Sequence, residues 1–121
     1  MTTPAIEMDY TVLDCPDPGA LAAFYSGVLG WSVARDEGDW AEIRGPGQLR
    51  LAFQLAPEFA PIAWPDSGVH AHLDLVVDEF ETTERHVLSL GAELVDASDA
   101  HSTFRVYRDP AGHIFCLCIR T

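Results

Sequence analysis

DPGALAAFYSGVLGW at 17–31, followed by WAEIRGPGQLRLAF at 40–53, returns in altered letters as DEFETTERHVLSLGA at 78–92 followed by FRVYRDPAGHIFCL at 104–117. The Leu29-Gly30 pair that closes the first helix-like stretch recurs as Leu90-Gly91, and the Arg-x-Pro turn at Arg44 recurs at Arg108. A spacing of about 60 residues with only two copies is too long and too few for a solenoid, which stacks three or more short units. It fits a fused pair of half-size modules that share one site.

Each copy reads as strand, helix, strand, strand, strand. In the first, a strand over 8–15 leads to Pro16-Asp17-Pro18, where Asp17 caps a helix and Pro18 takes its first turn. Leu21, Phe24 and Val28 recur at helical spacing, and Gly30 ends the run. Strands are expected at 31–35, 40–44 and 49–55, separated by Gly and Pro turns. In the second copy a strand spans 70–77, and a helix opens at Asp78 with Glu81 three residues on, a capping-box pattern. Strands over 92–96, 102–107 and 113–119 follow. The segment 56–69, with Pro57, Pro61 and Pro65, continues neither helix nor central strand and reads as the crossing between modules. The expectation is an α+β fold in one domain. Module one covers about 8–55 and module two about 70–121, with curved mixed sheets around a central cavity and helices outside.

At 121 residues the chain is one ordinary domain, able to bury roughly two thirds of its unfolded surface. Its net charge of −12 repels phosphate backbones and anionic lipid, so neither nucleic acid nor a membrane surface is an expected partner. No stretch approaches the about 18 consecutive apolar residues of a spanning helix, and the first residues lack a signal-peptide pattern, so a cytoplasmic protein is expected. The acidic excess reads first as a solvated surface and second as an attraction for a cationic ligand. Three cysteines make an odd count without framework spacing. Cys116 and Cys118 sit on one face of a strand, poorly aimed for a disulfide, so free thiols are expected.

Period two assigns the faces. On 70–77, Ala71, Leu73, Leu75 and Val77 pack under the helix, leaving His70, His72, Asp74 and Val76 on the trough side. On the last strand Phe115, Leu117 and Ile119 take the helix side, and Ile114, Cys116 and Cys118 face the trough. Arg50, Ala52 and Gln54 form the inner row of 49–55, and the repeat places Tyr10 where the second copy has His72. Trp40 faces opposite to Ala41 and Ile43; Trp31 reads as core; Trp64 lies in the crossing, as a lid or as a dimer contact. His113 falls in the helix-side row, while His86 and His101 read as surface groups. A trough with rings, aliphatics and a few polar tips suits a planar apolar molecule.

FYSGVLGW at 24–31, HLDLVVD at 72–78, LGA at 90–92 and RDPAGHIFCL at 108–117 resemble, in order and over nearly the whole chain, the vicinal oxygen chelate superfamily. This is the glyoxalase, bleomycin-resistance and extradiol dioxygenase group, and the chain is most similar to its small glyoxalase-like bacterial branch. The resemblance implies a fold that hosts isomerases, dioxygenases, transferases and drug binders, with homodimers common. It also implies, in metal-using members, a divalent ion held from the first, fourth, fifth and eighth strands. Those positions fall here on Tyr10, on Gln54 or Leu51, on His72 and on Cys116, so the acidic ligands of the pattern are missing.

No cofactor is therefore expected. A divalent metal, if one binds, would rest on His72 and Cys116; a thiolate cluster that adds Cys118 is disfavoured, because two cysteines two apart on a strand diverge more than those of a CxxC turn. The leading expectation is a small-molecule binding protein that holds an apolar or aromatic ligand between its modules through Tyr10, Trp40, Gln54, His72, Asp74 and Cys116. The alternatives are a metal-dependent lyase/isomerase or dioxygenase of the same superfamily, and a partner-binding module. A homodimer is expected.

Overall fold

The computed structural model describes residues 4–64, 71–98 and 102–119. Its elements run β1 (Thr11–Cys15), α1 (Pro18–Leu29), β2 (Ser32–Asp36), β3 (Trp40–Arg44), β4 (Arg50–Leu55), β5 (Leu73–Val77), α2 (Phe80–Ser89), β6 (Glu93–Asp96), β7 (Phe104–Arg108) and β8 (Ile114–Ile119). This is βαβββ twice, an α+β architecture with the order read from the repeat. Each module forms one open four-stranded mixed sheet, ordered β1-β4-β3-β2 and β5-β8-β7-β6. The first strand of each sheet runs parallel to the last, and the other pairings are antiparallel. A register shift between Val33 and Arg35 in β2 is matched by one between Leu94 and Asp96 in β6, so the copies share even their irregularity.

The start of α1 follows the local chemistry. The Asp17 carboxylate accepts the Ala20 N–H at 3.1 Å, and Pro18 occupies the first turn, where its missing N–H costs nothing. At the other end Gly30 is left-handed (φ 72°) and donates to Ser26 O at 2.9 Å. The cap of α2 differs from the expectation: Glu79, not Asp78, accepts the Thr82 N–H at 3.2 Å, and the Thr82 hydroxyl also donates to it. The helix starts one residue later because Thr82 offers both its donors to Glu79, while Phe80 in the first turn packs toward the core. Several strands are shorter than read: β1 begins at Thr11 rather than residue 8, β5 at Leu73, and β7 at Phe104. His70, Pro65 and His101 lie outside the described residues.

One core joins the modules. Tyr25 of α1 stacks on Phe53 of β4 (centroids 5.9 Å, interplanar 12°) and meets Phe115 of β8 edge-on at 6.2 Å. Phe115 in turn stacks on Tyr107 at 5.4 Å, and Val87 of α2 is fully buried in the same cluster. Each such side chain contributes about 1.5–3 kcal/mol on leaving water, so helix-side packing, not strand pairing, welds the two sheets. His86 adds a polar tie between the helices, its Nε2 2.8 Å from Gly27 O.

The fully buried Tyr25 hydroxyl donates at 2.6 Å to Asp109, itself 3% exposed. The other oxygen of Asp109 accepts the N–H groups of Ala111, Gly112 and His113 at 2.9–3.0 Å. This is why Arg-Asp-Pro-x-Gly precedes β8: a buried carboxylate is tolerated when its lone pairs are filled. Burial, reinforced by Asp109, holds the Tyr25 hydroxyl well above its ordinary pKa.

The described part of the crossing, residues 56–64, reaches the second sheet at Ile62 and Trp64. Ile62 donates its N–H to Gly112 O at 2.9 Å, and Arg108 donates from Nε and Nη2 to Ile62 O at 3.1 and 3.0 Å. Gly112 is required there: its φ is 109°, and a Cβ would sit 2.5 Å from Pro61 Cα. Ile62 and Trp64 then pack with Val106, Ile114 and Cys116, on the face of the second sheet away from the common core. Trp64 thus covers the trough side of its own chain. No helix among the described residues is long and apolar enough to cross a membrane.

Candidate functional site

The trough faces of the two sheets carry different chemistry. On the second, His72 lies just ahead of β5 with its ring against Asp74, and Asp74 stands opposite Cys116 in the parallel β5–β8 register. His72 Nε2 lies 3.1 Å from Asp74 Oδ1, an ion pair when the imidazole is protonated. One donor atom from each of His72, Asp74 and Cys116 falls within 4.8 Å of the others. The third member of this group is Asp74, not Cys118. Cys118 pairs with Val76 one step further along the strand and is not in the donor group. Burial, with Asp74 adding to it, pushes the Cys116 thiol up to about 12, and burial also raises Cys118. All three cysteines are free, as expected.

On the first sheet the centre is Glu42, which the sequence reading did not single out. Its side chain is 3% exposed and accepts the Tyr10 hydroxyl at 2.5 Å, Trp40 Nε1 at 2.7 Å and Arg35 Nη1 at 3.2 Å. The bulge in β2 brings Arg35 opposite Glu42. Arg44 donates at 2.7 Å to the Tyr10 oxygen, and the Arg50 guanidinium lies 4.8 Å from the centre of the Tyr10 ring. The Tyr10 hydroxyl, ahead of Trp40 and the arginines, holds the Glu42 carboxyl below the usual carboxylate range, while burial opposes it. The same bond raises Tyr10. Tyr10 and Trp40 meet edge-on at 6.1 Å, forming an open corner of about 420 Å³ rimmed by Asp9 and Glu37.

Between the modules lies a larger cavity of about 560 Å³, within the range of small-molecule sites. Val12 and Leu13 of β1 form one wall, Phe59, Pro61 and Ile62 of the crossing another, and Leu73 and Ile114 of the second module a third. His72 and His113 also line it. His113 departs from its assigned row: its ring stacks on Phe59 at 4.4 Å, with Nε2 2.6 Å from Asp14 O, so it braces the crossing against β1. As the residue just ahead of β8, it escapes the alternation used to place it.

The six proposed ligand contacts are therefore divided. Tyr10 and Trp40 line the corner on module one, His72 lines the cavity between modules, and Asp74 and Cys116 join His72 in the donor group. Gln54 is exposed and lies in register between Trp40 and Asp14. The registers also settle the counterpart of Cys116 in module one: it is Ala52, which pairs with Val12 and Glu42 as Cys116 pairs with Asp74 and Val106. Neither Gln54 nor Leu51 holds that place, and Leu51 is buried in the core. Glu42 had a readable signal, since it shares the face of Trp40 between the apolar Ala41 and Ile43.

A family model described as a glyoxalase-like domain matches residues 10–118. Similar solved structures include a glyoxalase/bleomycin resistance protein/dioxygenase family enzyme from Burkholderia phytofirmans, 20% identical, covering 94% of this chain and 98% of that one with a TM-score of 0.71. The fosfomycin resistance protein FosX from Mesorhizobium loti is 14% identical, with 97% and 94% covered and a TM-score of 0.72. A glyoxalase-related enzyme from Fulvimarina pelagi is 19% identical, with 96% and 89% covered and a TM-score of 0.67. At these identities the likeness speaks for the fold. No curated protein matches the chain.

Proposed function

We propose, starting from the fact that this chain belongs to the glyoxalase-like domain family, that it binds a small apolar or aromatic molecule in the cavity between its two modules. The observation that carries this reading is the composition of that cavity: aliphatic and aromatic walls from three segments, with the half-exposed His72 as the polar tip that orients a ligand. Such walls need no ion to hold an apolar body. The net charge of −12 supports a small-molecule role over a nucleic-acid one, and we place the protein in the cytoplasm. Val12 and Val76, 39% and 54% exposed on the trough faces, support a homodimer in which a second copy covers them.

The four-strand metal centre of the superfamily does not fit this chain. At the first-strand position the Tyr10 hydroxyl is committed to Glu42, and the register opposite it offers only Val12 and Ala52. A second reading, a metal-dependent lyase/isomerase or dioxygenase, is favoured by one observation, the His72–Asp74–Cys116 group at the cavity's edge. The test of the binding reading is a titration with the neutral solvatochromic dye Nile red, alongside a panel of aromatic fragments followed by ligand-observed NMR. Val12→Trp, which fills the cavity from an exposed position, abolishes binding, and His72→Ala weakens it without unfolding the domain. Unchanged affinity in Val12→Trp refutes the cavity assignment, and turnover of any ligand only in the presence of a metal moves the second reading ahead.

A further inference from the structure

We propose that the cavity between the modules selects a lipophilic amine, whose ammonium group is held by the Asp14 carboxylate while its apolar body lies against Val12, Leu73 and Ile114. This rests on the binding reading above and deepens it, by giving the ligand a charge and naming the residue that recognises it.

The position of Asp14 follows from β1. Leu13 and Cys15, on either side of it, turn into the common core, so Asp14 shares the opposite face of the strand with Val12. Both Val12 and Asp14 line the cavity. The Asp14 main chain is fixed twice, by its register with Gln54 on β4 and by its carbonyl oxygen, 2.6 Å from His113 Nε2. Its side chain is left open: among the described residues the carboxylate makes no hydrogen bond and no ion pair. Other acids of this region are already occupied. Asp74 lies 3.1 Å from His72, Glu42 accepts from Tyr10, Trp40 and Arg35, and Asp109 accepts from Tyr25 and its own turn.

The lining decides the sign of the ligand. No arginine lines the cavity among the described residues, and the chain has no lysine. Arg108, which holds the crossing at Ile62, is paired with Glu93. The Asp14 carboxylate therefore meets no cation of the protein, and Asp74 beside His72 adds a second negative charge at the cavity's edge. A ligand carboxylate is repelled there and a neutral ligand leaves Asp14 as it is, whereas an ammonium gains a charge-assisted hydrogen bond. Apolar walls strengthen that attraction by lowering the local dielectric. Residues two apart on a strand are separated by about 6.5 Å, so an aromatic body over Val12 brings a nitrogen on a short arm to Asp14. The walls supply the affinity and one carboxylate the discrimination.

The test uses the full chain and three probes of similar shape, 1-naphthylmethylamine, 1-naphthylmethanol and 1-naphthoic acid, each titrated by calorimetry and by displacement of Nile red. The amine binds about fivefold tighter than the alcohol or better, the acid binds more weakly than the alcohol, and added salt narrows the gap. Asp14→Asn brings the amine down to the affinity of the alcohol, while the alcohol, Nile red and the urea midpoint stay as in the parent. Asp39→Asn removes the same charge from the loop between β2 and β3, outside the cavity, and keeps the preference. That control separates recognition by Asp14 from the general pull of an acidic surface. Equal affinities for amine and alcohol in the parent, a preference that survives Asp14→Asn, or one that Asp39→Asn abolishes as well overturns the proposal. Nile red binding without a preference for the amine rejects this inference and leaves the binding reading standing; failure of Nile red and all three probes to bind rejects both.

Discussion

Removing a single oxygen atom in Tyr25→Phe tests the link on which both the core and the cavity depend. The ring stays stacked on Phe53 and edge-on to Phe115, so the volume is kept and no void opens. What is lost is the 2.6 Å hydrogen bond to Asp109, whose other oxygen remains engaged with the three N–H groups of its turn. A hydrogen bond to a charged group contributes about 1.5–3 kcal/mol, and a buried acceptor left open adds its desolvation cost. We therefore expect a loss of about 2–3 kcal/mol, which for a domain of this size lowers Tm by roughly 6–15 °C. Urea unfolding at neutral pH, followed by tryptophan fluorescence and by circular dichroism, measures it through the midpoint at unchanged m. Because the Asp109 turn presents Gly112 to the crossing and His113 to Asp14, the variant also binds Nile red more weakly than its stability loss alone explains. A loss under about 0.5 kcal/mol, the level of an ordinary surface substitution, refutes the view that this pair holds the modules together.

Stability should fall on the alkaline side. The thiols of Cys15 and Cys116 are raised from 9.0 to about 11 and about 12, and Tyr25 and Tyr107 are raised from 10.0, in each case chiefly by burial. A raised folded pKa favours the protonated form, so this contribution is complete below about pH 9 and is lost as pH rises; Tyr25→Phe shows a shallower decline. Denaturation midpoints that are flat from pH 8 to pH 11 contradict this. On the acid side Glu42, held below its ordinary value of 4.5, adds stability above that pH and loses it as pH falls, and Glu42→Gln removes this part of the acid slope. Gly112→Ala meets both a left-handed backbone and the Pro61 Cα at 2.5 Å, so it costs on the order of 2–4 kcal/mol by thermal unfolding. A neutral outcome there means the crossing does not seat on the turn.

Much of the architecture is carried by signals that act over a few residues. Asp17, Pro18 and Gly30 bound α1 by capping chemistry confined to their own turns, and alternation on β5 and β8 correctly separated the core row from the trough row. The errors are also local in kind. Asp78 and Glu79 are adjacent acids, and only the position of Thr82 decides between them. His113 escaped because a residue just outside a strand does not obey its period. Glu42 was missed because a carboxylate among apolar neighbours looks like a surface residue until its partners are known, and two of them come from other segments, Tyr10 ahead of β1 and Arg35 on β2.

What the amino-acid order determined alone is therefore the duplicated βαβββ plan, the ends of α1 and the face that side chains within the strands take, since periodicity and capping are properties of the local backbone. Tertiary structure decided which of those side chains meet. Parallel register set Asp74, rather than Cys118, beside His72 and Cys116, and the same register put Ala52 in the matching place of the first module. Strand pairing joins residues some forty positions apart, and a shift by one residue would have turned every donor to the other face.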